Sequence, residues 1–231
     1  MEKTEFTATL SEKIEIAKDV LQLTFTKPEG FLYEAGQFVQ FLIPQGEKAL
    51  PRSYSLSSIP TDDHLEFCVK ILDGGVASAH FQAMDIGDEM MFRGPRGRFV
   101  VHENEHDHHF VATGVGLAPI MGMIRSLIES AGDHKPIRLI FGVRDEDDVF
   151  WIDRLEALKE TSDLFEYHVT LSQPKPTGGW KGLKGRVTDH LLHHLMKHRY
   201  YLCGSADMVK DVRSLLIEHG VEAKDVHFEI F

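Results

Sequence analysis

The chain has 231 residues, 42% of them apolar and 26% charged, with a formal net charge of −11. That length holds one large domain or two small ones around real cores. The acidic balance argues against a general nucleic-acid binder, which needs a basic face to displace counterions, and against a protein that coats anionic lipid.

The opening residues, MEKTEFTATL, alternate polar and apolar and lack the basic and apolar blocks of a secretory leader. Up to about residue 100 the apolar period stays at two. Phe6, Ala8 and Leu10 alternate with threonines, as do Leu21, Leu23 and Phe25 with polar residues, and then Val39, Phe41 and Ile43. Leu65, Phe67, Val69 and Ile71 face one way, while Glu66, Cys68 and Lys70 face the other. Such runs, broken by turn signals such as KPEG and PQGE, predict antiparallel strands with one buried face, hence a small barrel. A short helix interrupts them near SAHFQAM.

The polar stretch HENEHDHH, 102–109, reads as a linker. Beyond it the pattern alternates between types. HFVAT is a strand, and Leu117, Ile120, Met121, Ile124, Leu127 and Ile128 share one helical face. IRLIFGV, FEYHVTLS, YYLCG and VHFEIF read as strands. WIDRLEALKE, VTDHLLHHL and the segment marked by Met208, Val212, Leu215 and Leu216 read as helices. Strand–helix alternation predicts a parallel sheet with helices on both faces, which binds ligands at the carboxyl ends of its strands. The expected organisation is therefore an antiparallel β-barrel over 1–103 followed by an α/β domain over 104–231.

Four motifs bear on chemistry. In RSYS, Arg52, Ser53, Tyr54 and Ser55 place a guanidinium, a ring and hydroxyls on one strand. They suit a phosphate, a planar ring and a ring nitrogen, or an ordinary barrel strand with surface polar residues. In GGVAS, Gly74, Gly75, Val76, Ala77 and Ser78 open a helix. Unpaired amides there suit a pyrophosphate, though a glycine turn with a capping serine gives the same letters. In ATGVGLAPIMGMIR, Thr113, Gly114, Gly116 and Pro119 follow a strand and start a helix. This is the form of a phosphate-cradling turn, although the third glycine of the common fingerprint is missing. In YLCG, Cys203 and Gly204 end a strand at the ligand-binding edge, where a buried structural thiol is the alternative.

The two cysteines are too few for a cluster or a four-ligand metal site. The fourteen histidines include His106, His108 and His109, and the i, i+4 pair His190 and His194 beside Asp189 and His193. That spacing can chelate zinc, but no H-E-x-x-H pattern appears, and surface histidines are expected rather than a metal site.

Taken in order, RSYS, CVK, GGVAS, GPRGRF, ATGVGLAP, YLCG and the terminal HFEIF resemble the ferredoxin–NADP⁺ reductase superfamily over nearly the whole chain. The resemblance implies FAD on the barrel and NADH or NADPH on the α/β domain, with hydride passing from nicotinamide to flavin. It assigns Arg52 to the pyrophosphate, Tyr54 to the isoalloxazine and Ser55 to its reactive nitrogen. Cys68, Val69 and Lys70 match a further flavin-contact strand, Val76 to Ser78 a phosphate segment, and Thr113 to Pro119 the dinucleotide turn. Plant-type members end in glutamate, one residue, then a tyrosine that stacks on the flavin, where phenylalanine would keep the stacking and lose the hydroxyl. Glu229 and Phe231 have that spacing, and with Ser55 and Cys203 would complete the site.

NADPH users of the plant type carry Ser-Arg after the third α/β strand, whereas this chain has Ser172 and Gln173. Arg144 precedes an acidic run, DEDD, which would repel a further phosphate if close, or is simply a solvated loop. Lys175, Lys181 and Lys184 remain possible phosphate contacts, and NADH is the favoured coenzyme. Lys48, Arg52, Arg93, Arg96 and Arg98 form either a basic rim for an acidic ferredoxin or scattered solubilising charge. The expected function is a cytoplasmic FAD-dependent NAD(P)H oxidoreductase, without membrane insertion or nucleic acid, serving a ferredoxin, a similar small redox protein or an oxygenase component. A free-flavin reductase and an electron-transfer subunit of a larger complex are the alternatives.

Overall fold

A computed structural model describes residues 4–102, 106–130, 135–191 and 198–231. The chain divides into two compact units, Met1–Val101 with Met121–Met123, and His102–Ile120 with Ile124–Phe231.

The first unit holds strands β1 (Thr4–Ala17), β2 (Val20–Thr26), β3 (Phe38–Gln45), β4 (Lys48–Ser55) and β5 (His64–Lys70), helix α1 (Val76–Ala83) and strand β6 (Glu89–Arg96). The strands run β4-β3-β6-β1-β2-β5, and every pairing is antiparallel. The ends of this row meet. Just past β4, Leu56 bridges Phe67 of β5, and the Ser57 amide donates to the Glu66 carbonyl at 2.9 Å. That contact closes the sheet into the barrel expected from the period-two pattern. Its interior is aromatic. Phe41 meets Phe92 edge-on at 4.5 Å, Phe67 at 4.8 Å and Phe81 of α1 at 5.2 Å. Each such ring contributes about 2–3 kcal/mol of transfer free energy.

One expectation needs correction. The period-two pattern predicts a single buried face for β5, yet Glu66 and Cys68 are buried along with Leu65, Phe67 and Val69. Alternation misleads here because polar partners cover the second face. The Ser57 hydroxyl donates to the Glu66 carboxylate at 2.8 Å, and Cys68 lies opposite the buried Gln22.

The second unit contains β7 (Asp107–Thr113), α2 (Leu117–Glu129), β8 (Ile137–Val143), α3 (Ile152–Thr161), β9 (Phe165–Leu171), the short β10 (Leu183–Lys184), β11 (His198–Gly204), α4 (Ala206–Glu218) and β12 (Val226–Ile230). The six strands lie in the order β10-β9-β8-β7-β11-β12, all parallel. From β7 the chain steps through β8 to β9, and it then returns to β11 and steps the opposite way to β12. Right-handed crossovers in opposite directions place the connecting helices on opposite faces. The order reverses between β7 and β11, so the switch point lies between their carboxyl ends. On the α4 face, Val212 and Leu216 pack with Tyr200, Leu202 and Val226.

Two local readings change. The expected linker is partly strand: β7 begins at Asp107, and His108 and His109 are buried within it rather than exposed. Both faces of a parallel strand are covered, so polarity is a poor guide to exposure there. Of the helix expected over 187–195, residues 187–190 form a 3₁₀ turn, and 192–195 lie outside the described residues. His193 and His194 lie outside the described residues, and the His190 imidazole Nε2 sits 3.2 Å from the Thr170 hydroxyl and 3.1 Å from the Lys184 carbonyl.

Candidate functional site

In the barrel, alternation along β4 sets Arg52 and Tyr54 on one side and Ser53 and Ser55 on the other. Tyr54 is half-buried, with its ring edge-on to Phe41 at 5.0 Å and to Phe81 at 5.3 Å. Those contacts fix the ring and bring β4 against α1. Burial raises the Tyr54 phenol above its ordinary pKa, with Arg52 opposing, so the hydroxyl stays protonated. Arg52 and Ser53 are exposed, and the Arg52 guanidinium donates to the Pro51 carbonyl at 3.0 Å. Ser55 is buried at the strand end.

The segment before α1 is shaped by its own polar atoms. The Ser78 hydroxyl accepts the Leu72 amide at 2.9 Å, which folds the loop back on the helix. Gly74 has φ +70 with open space where a Cβ would stand, while a Cβ on Gly75 would crowd the Ser78 hydroxyl and the Leu72 carbonyl. Gly75 is the N-cap of α1, with no side chain capping the amides beyond it and no acidic residue in the first turn. Those amides are left for an outside acceptor. An exposed guanidinium, an uncapped helix start and a fixed phenol ring fit an elongated ligand with a pyrophosphate and a planar ring.

The other barrel candidates contribute less through their side chains. Val69 points into the core, Cys68 is buried, and the Lys70 amine donates to the Lys18 carbonyl at 2.7 Å across the β1–β2 turn. Among the expected basic rim, Arg93 is ion-paired with Glu5 at 2.6 Å, whereas Lys48, Arg52 and Arg98 are exposed.

In the second unit the switch point gathers most of the remaining candidates. Thr113 ends β7 and Gly204 ends β11, with Ala112 and Cys203 in register between those strands. The Thr113 hydroxyl accepts the Ser205 amide at 3.3 Å. Gly204 has φ +145, and a Cβ on it would strike Thr113. Gly114 has φ +54 and open surroundings, so its missing side chain leaves the turn accessible. Gly116 also has a packing reason to be glycine: a Cβ there would strike the Cys203 carbonyl, so its absence lets the turn close onto β11. Pro119 falls in the first turn of α2, where its missing amide costs no helical hydrogen bond.

The chain end belongs to the same place. The Phe231 amide donates to the Gly204 carbonyl at 3.1 Å, and its ring is 49% exposed. Glu229 is in register with Cys203. Burial, and then Glu229, push the Cys203 thiol well above its ordinary pKa. Cys203 is therefore a neutral thiol and no nucleophile at neutral pH.

At the neighbouring strand ends, Arg144 is exposed, and the loops after β8 and β9 are tied together. The Ser172 amide donates to the Val143 carbonyl at 3.0 Å and the Gln173 amide to the Arg144 carbonyl at 2.7 Å. The Lys175 amide donates to the Glu146 carboxylate at 3.0 Å, and its ammonium pairs with Asp147 at 2.5 Å. The acidic run is thus part of this edge. The pairing of Asp147 with Lys175 was not visible in the sequence, because 27 intervening positions give no register between two loops.

Residues 7–101 match the family of oxidoreductase FAD-binding domains, and residues 110–214 match that of oxidoreductase NAD-binding domains. The two-domain arrangement defines a flavin- and nicotinamide-binding oxidoreductase. The chain belongs to the ferredoxin–NADP⁺ reductase superfamily. It is 33% identical over 224 residues to ferredoxin–NADP reductase B of Sorangium cellulosum, covering 91% of each chain. It is 32% identical over 232 residues to the xylene/toluene monooxygenase electron transfer component XylA of Pseudomonas putida, covering 98% of this chain but only 65% of XylA. Among solved structures, the Amycolatopsis cytochrome P450 reductase GcoB is 26% identical with a TM-score of 0.89, over 99% of this chain and 70% of GcoB. A Neisseria gonorrhoeae ferredoxin NADP⁺ reductase, solved with bound FAD and NADP, has the same fold at 22% identity and a TM-score of 0.85, over 99% of both chains. No described helix is long and apolar enough to cross a membrane.

Proposed function

We propose that this chain is an FAD-dependent NADH oxidoreductase that delivers electrons to a separate one-electron acceptor, a ferredoxin or an oxygenase component. In this reading residues 1–103 carry FAD and residues 104–231 carry the coenzyme. The observation that carries it is the uncapped start of α1 on a barrel whose β4 presents Arg52 and the fixed Tyr54 ring. Arg52 and the amides of Val76, Ala77 and Ser78 would hold the pyrophosphate, Tyr54 would support the ring system, and Ser55, Cys68, Val69 and Lys70 would line the rest. Bound FAD supplies the redox chemistry, accepting two electrons from one NADH and releasing them singly to two acceptor molecules.

On the second domain, Thr113, Gly114 and the first turn of α2 would receive the coenzyme's diphosphate, and Gly204 and Phe231 its nicotinamide end. Phe231 would act as a gate there. Cys203, as a neutral thiol, would pack against the nicotinamide and not attack it. Arg144, Ser172 and Gln173 would meet the adenosine end. Exposed Arg52 and Arg98 would offer an acidic acceptor basic contacts on this otherwise acidic protein. The relatives named as electron-transfer components support this class of partner. Both cysteines are thiols rather than a disulfide, in keeping with a cytoplasmic location.

The reading is tested by steady-state turnover of the FAD-loaded protein with NADH and an artificial one-electron acceptor. Saturable turnover, two acceptors reduced per NADH, is the expected result. No turnover despite bound FAD would overturn the enzyme reading in favour of an electron-transfer subunit.

A further inference from the structure

The loops that follow β8 and β9 stand side by side at the carboxyl edge of the parallel sheet, and four links join them. Two are backbone bonds already described, from Ser172 and Gln173 to Val143 and Arg144. The other two involve Lys175 at both its ends. Its amide is held by Glu146 at 3.0 Å and its ammonium by Asp147 at 2.5 Å. The turn is compact: the Gly178 amide donates to the Lys175 carbonyl at 3.1 Å, and a Cβ on Gly178 would strike the Glu146 carboxylate. Asp145 caps its own turn by accepting the Asp147 amide at 2.9 Å, which sets the direction of Asp147.

In open α/β sheets the end of the strand after the dinucleotide turn is where the adenosine ribose is met, by an acid for a free 2′-hydroxyl or by a cation for a 2′-phosphate. Here that edge offers Lys175 and Arg144 as cations against the four carboxylates of residues 145–148. An ammonium already paired with a carboxylate has one donor taken and its charge largely offset, so it serves a phosphate less well. Because Glu146 fixes the Lys175 backbone beside the acidic turn, the lysine cannot carry its charge far. A phosphate that displaced Asp147 would then face that carboxylate.

We propose that Asp147 biases coenzyme choice by holding Lys175 in an ion pair, which withholds from a 2′-phosphate one of the two cations, Lys175 and Arg144, that this edge offers, and leaves the edge better suited to a coenzyme with a bare ribose. Glu146 is the positioning residue that keeps Lys175 within reach of Asp147. The inference rests on the assignment of the second domain to the coenzyme and names the device by which that domain chooses.

The test is equilibrium binding of 2′-phospho-AMP and 5′-AMP by calorimetry, with the FAD-loaded protein, in the wild type, D147N, K175A and the D147N/K175A double variant. Both substitutions lie on half-exposed side chains, and far-ultraviolet circular dichroism checks the fold. D147N should raise affinity for 2′-phospho-AMP relative to 5′-AMP by about tenfold, the worth of one charge-assisted contact. K175A should abolish that gain in the double variant. A gain that persists without Lys175 would overturn the proposal, because it would mean simple repulsion by Asp147. Unchanged selectivity in D147N would overturn it equally. If neither nucleotide binds the wild type, the coenzyme-domain assignment itself falls, and this proposal with it.

Discussion

Phe231 illustrates how a single residue acquires a role from its surroundings. An apolar ring at a chain end would ordinarily fray, but its amide is tied to the Gly204 carbonyl, so the ring is held beside the switch point while half-exposed. If it gates nicotinamide entry, deleting Phe231 should lower the coenzyme Kd severalfold while the protein keeps its fold. Titration with NAD⁺ checks this, and an unchanged Kd with unchanged turnover would remove the gate. In the sequence the spacing of Glu229 and Phe231 points to this strand end, and the order of RSYS and GGVAS points to the barrel, as candidate sites. Gly116 was legible only in part. Its place in a glycine-rich turn suggested ligand approach, whereas the atom that needs the space is the Cys203 carbonyl of another strand. No local pattern encodes a contact of that range. The Asp147–Lys175 pair was hidden for the same reason.

At the scale of the element, β7 is the instructive case. Its opening residues read as a polar linker, yet they form the start of a central strand and bury two imidazoles. His109 has its pKa lowered to about 3, first by burial and then by His198, Arg138 and His168. On β12, His227 lies 4.6 Å from the His102 ring and stacks on Tyr201, and its pKa is lowered to about 4, again chiefly by burial, then by His102 and Arg199, with Asp225 opposing. Both folded values lie below the ordinary 6.5, so the unfolded chain takes up these protons first. The stability they confer is complete above about pH 6.5 and is lost as pH falls from there toward the folded values. The urea midpoint should therefore drop between about pH 7 and pH 5, before carboxylates contribute much, with a slope of up to about 1.4 kcal/mol per pH unit from the buried His109 and a smaller one from the half-exposed His227, whose shift is screened by water. A flat midpoint over that interval would show that these rings open to water in the folded protein. The strands and helices themselves were largely visible in the change of period from two to 3.6. What escaped were strands in which polar residues are buried with partners, as in β5 and β7.

At the scale of the whole molecule, two folds with different periods each carry a candidate binding site. The barrel offers an exposed arginine, a supported tyrosine and an uncapped helix. The parallel sheet offers a glycine turn at its switch point. The central claim is that the first of these holds FAD and the second reduces it with NADH. The most direct measurement is the visible spectrum of the gently purified protein, recorded anaerobically before and after NADH and then NADPH. The account predicts a yellow protein with one FAD per chain, bleached at lower concentration by NADH than by NADPH. A colourless protein that oxidises NADH only when flavin is added would contradict it and make the flavin a diffusing substrate.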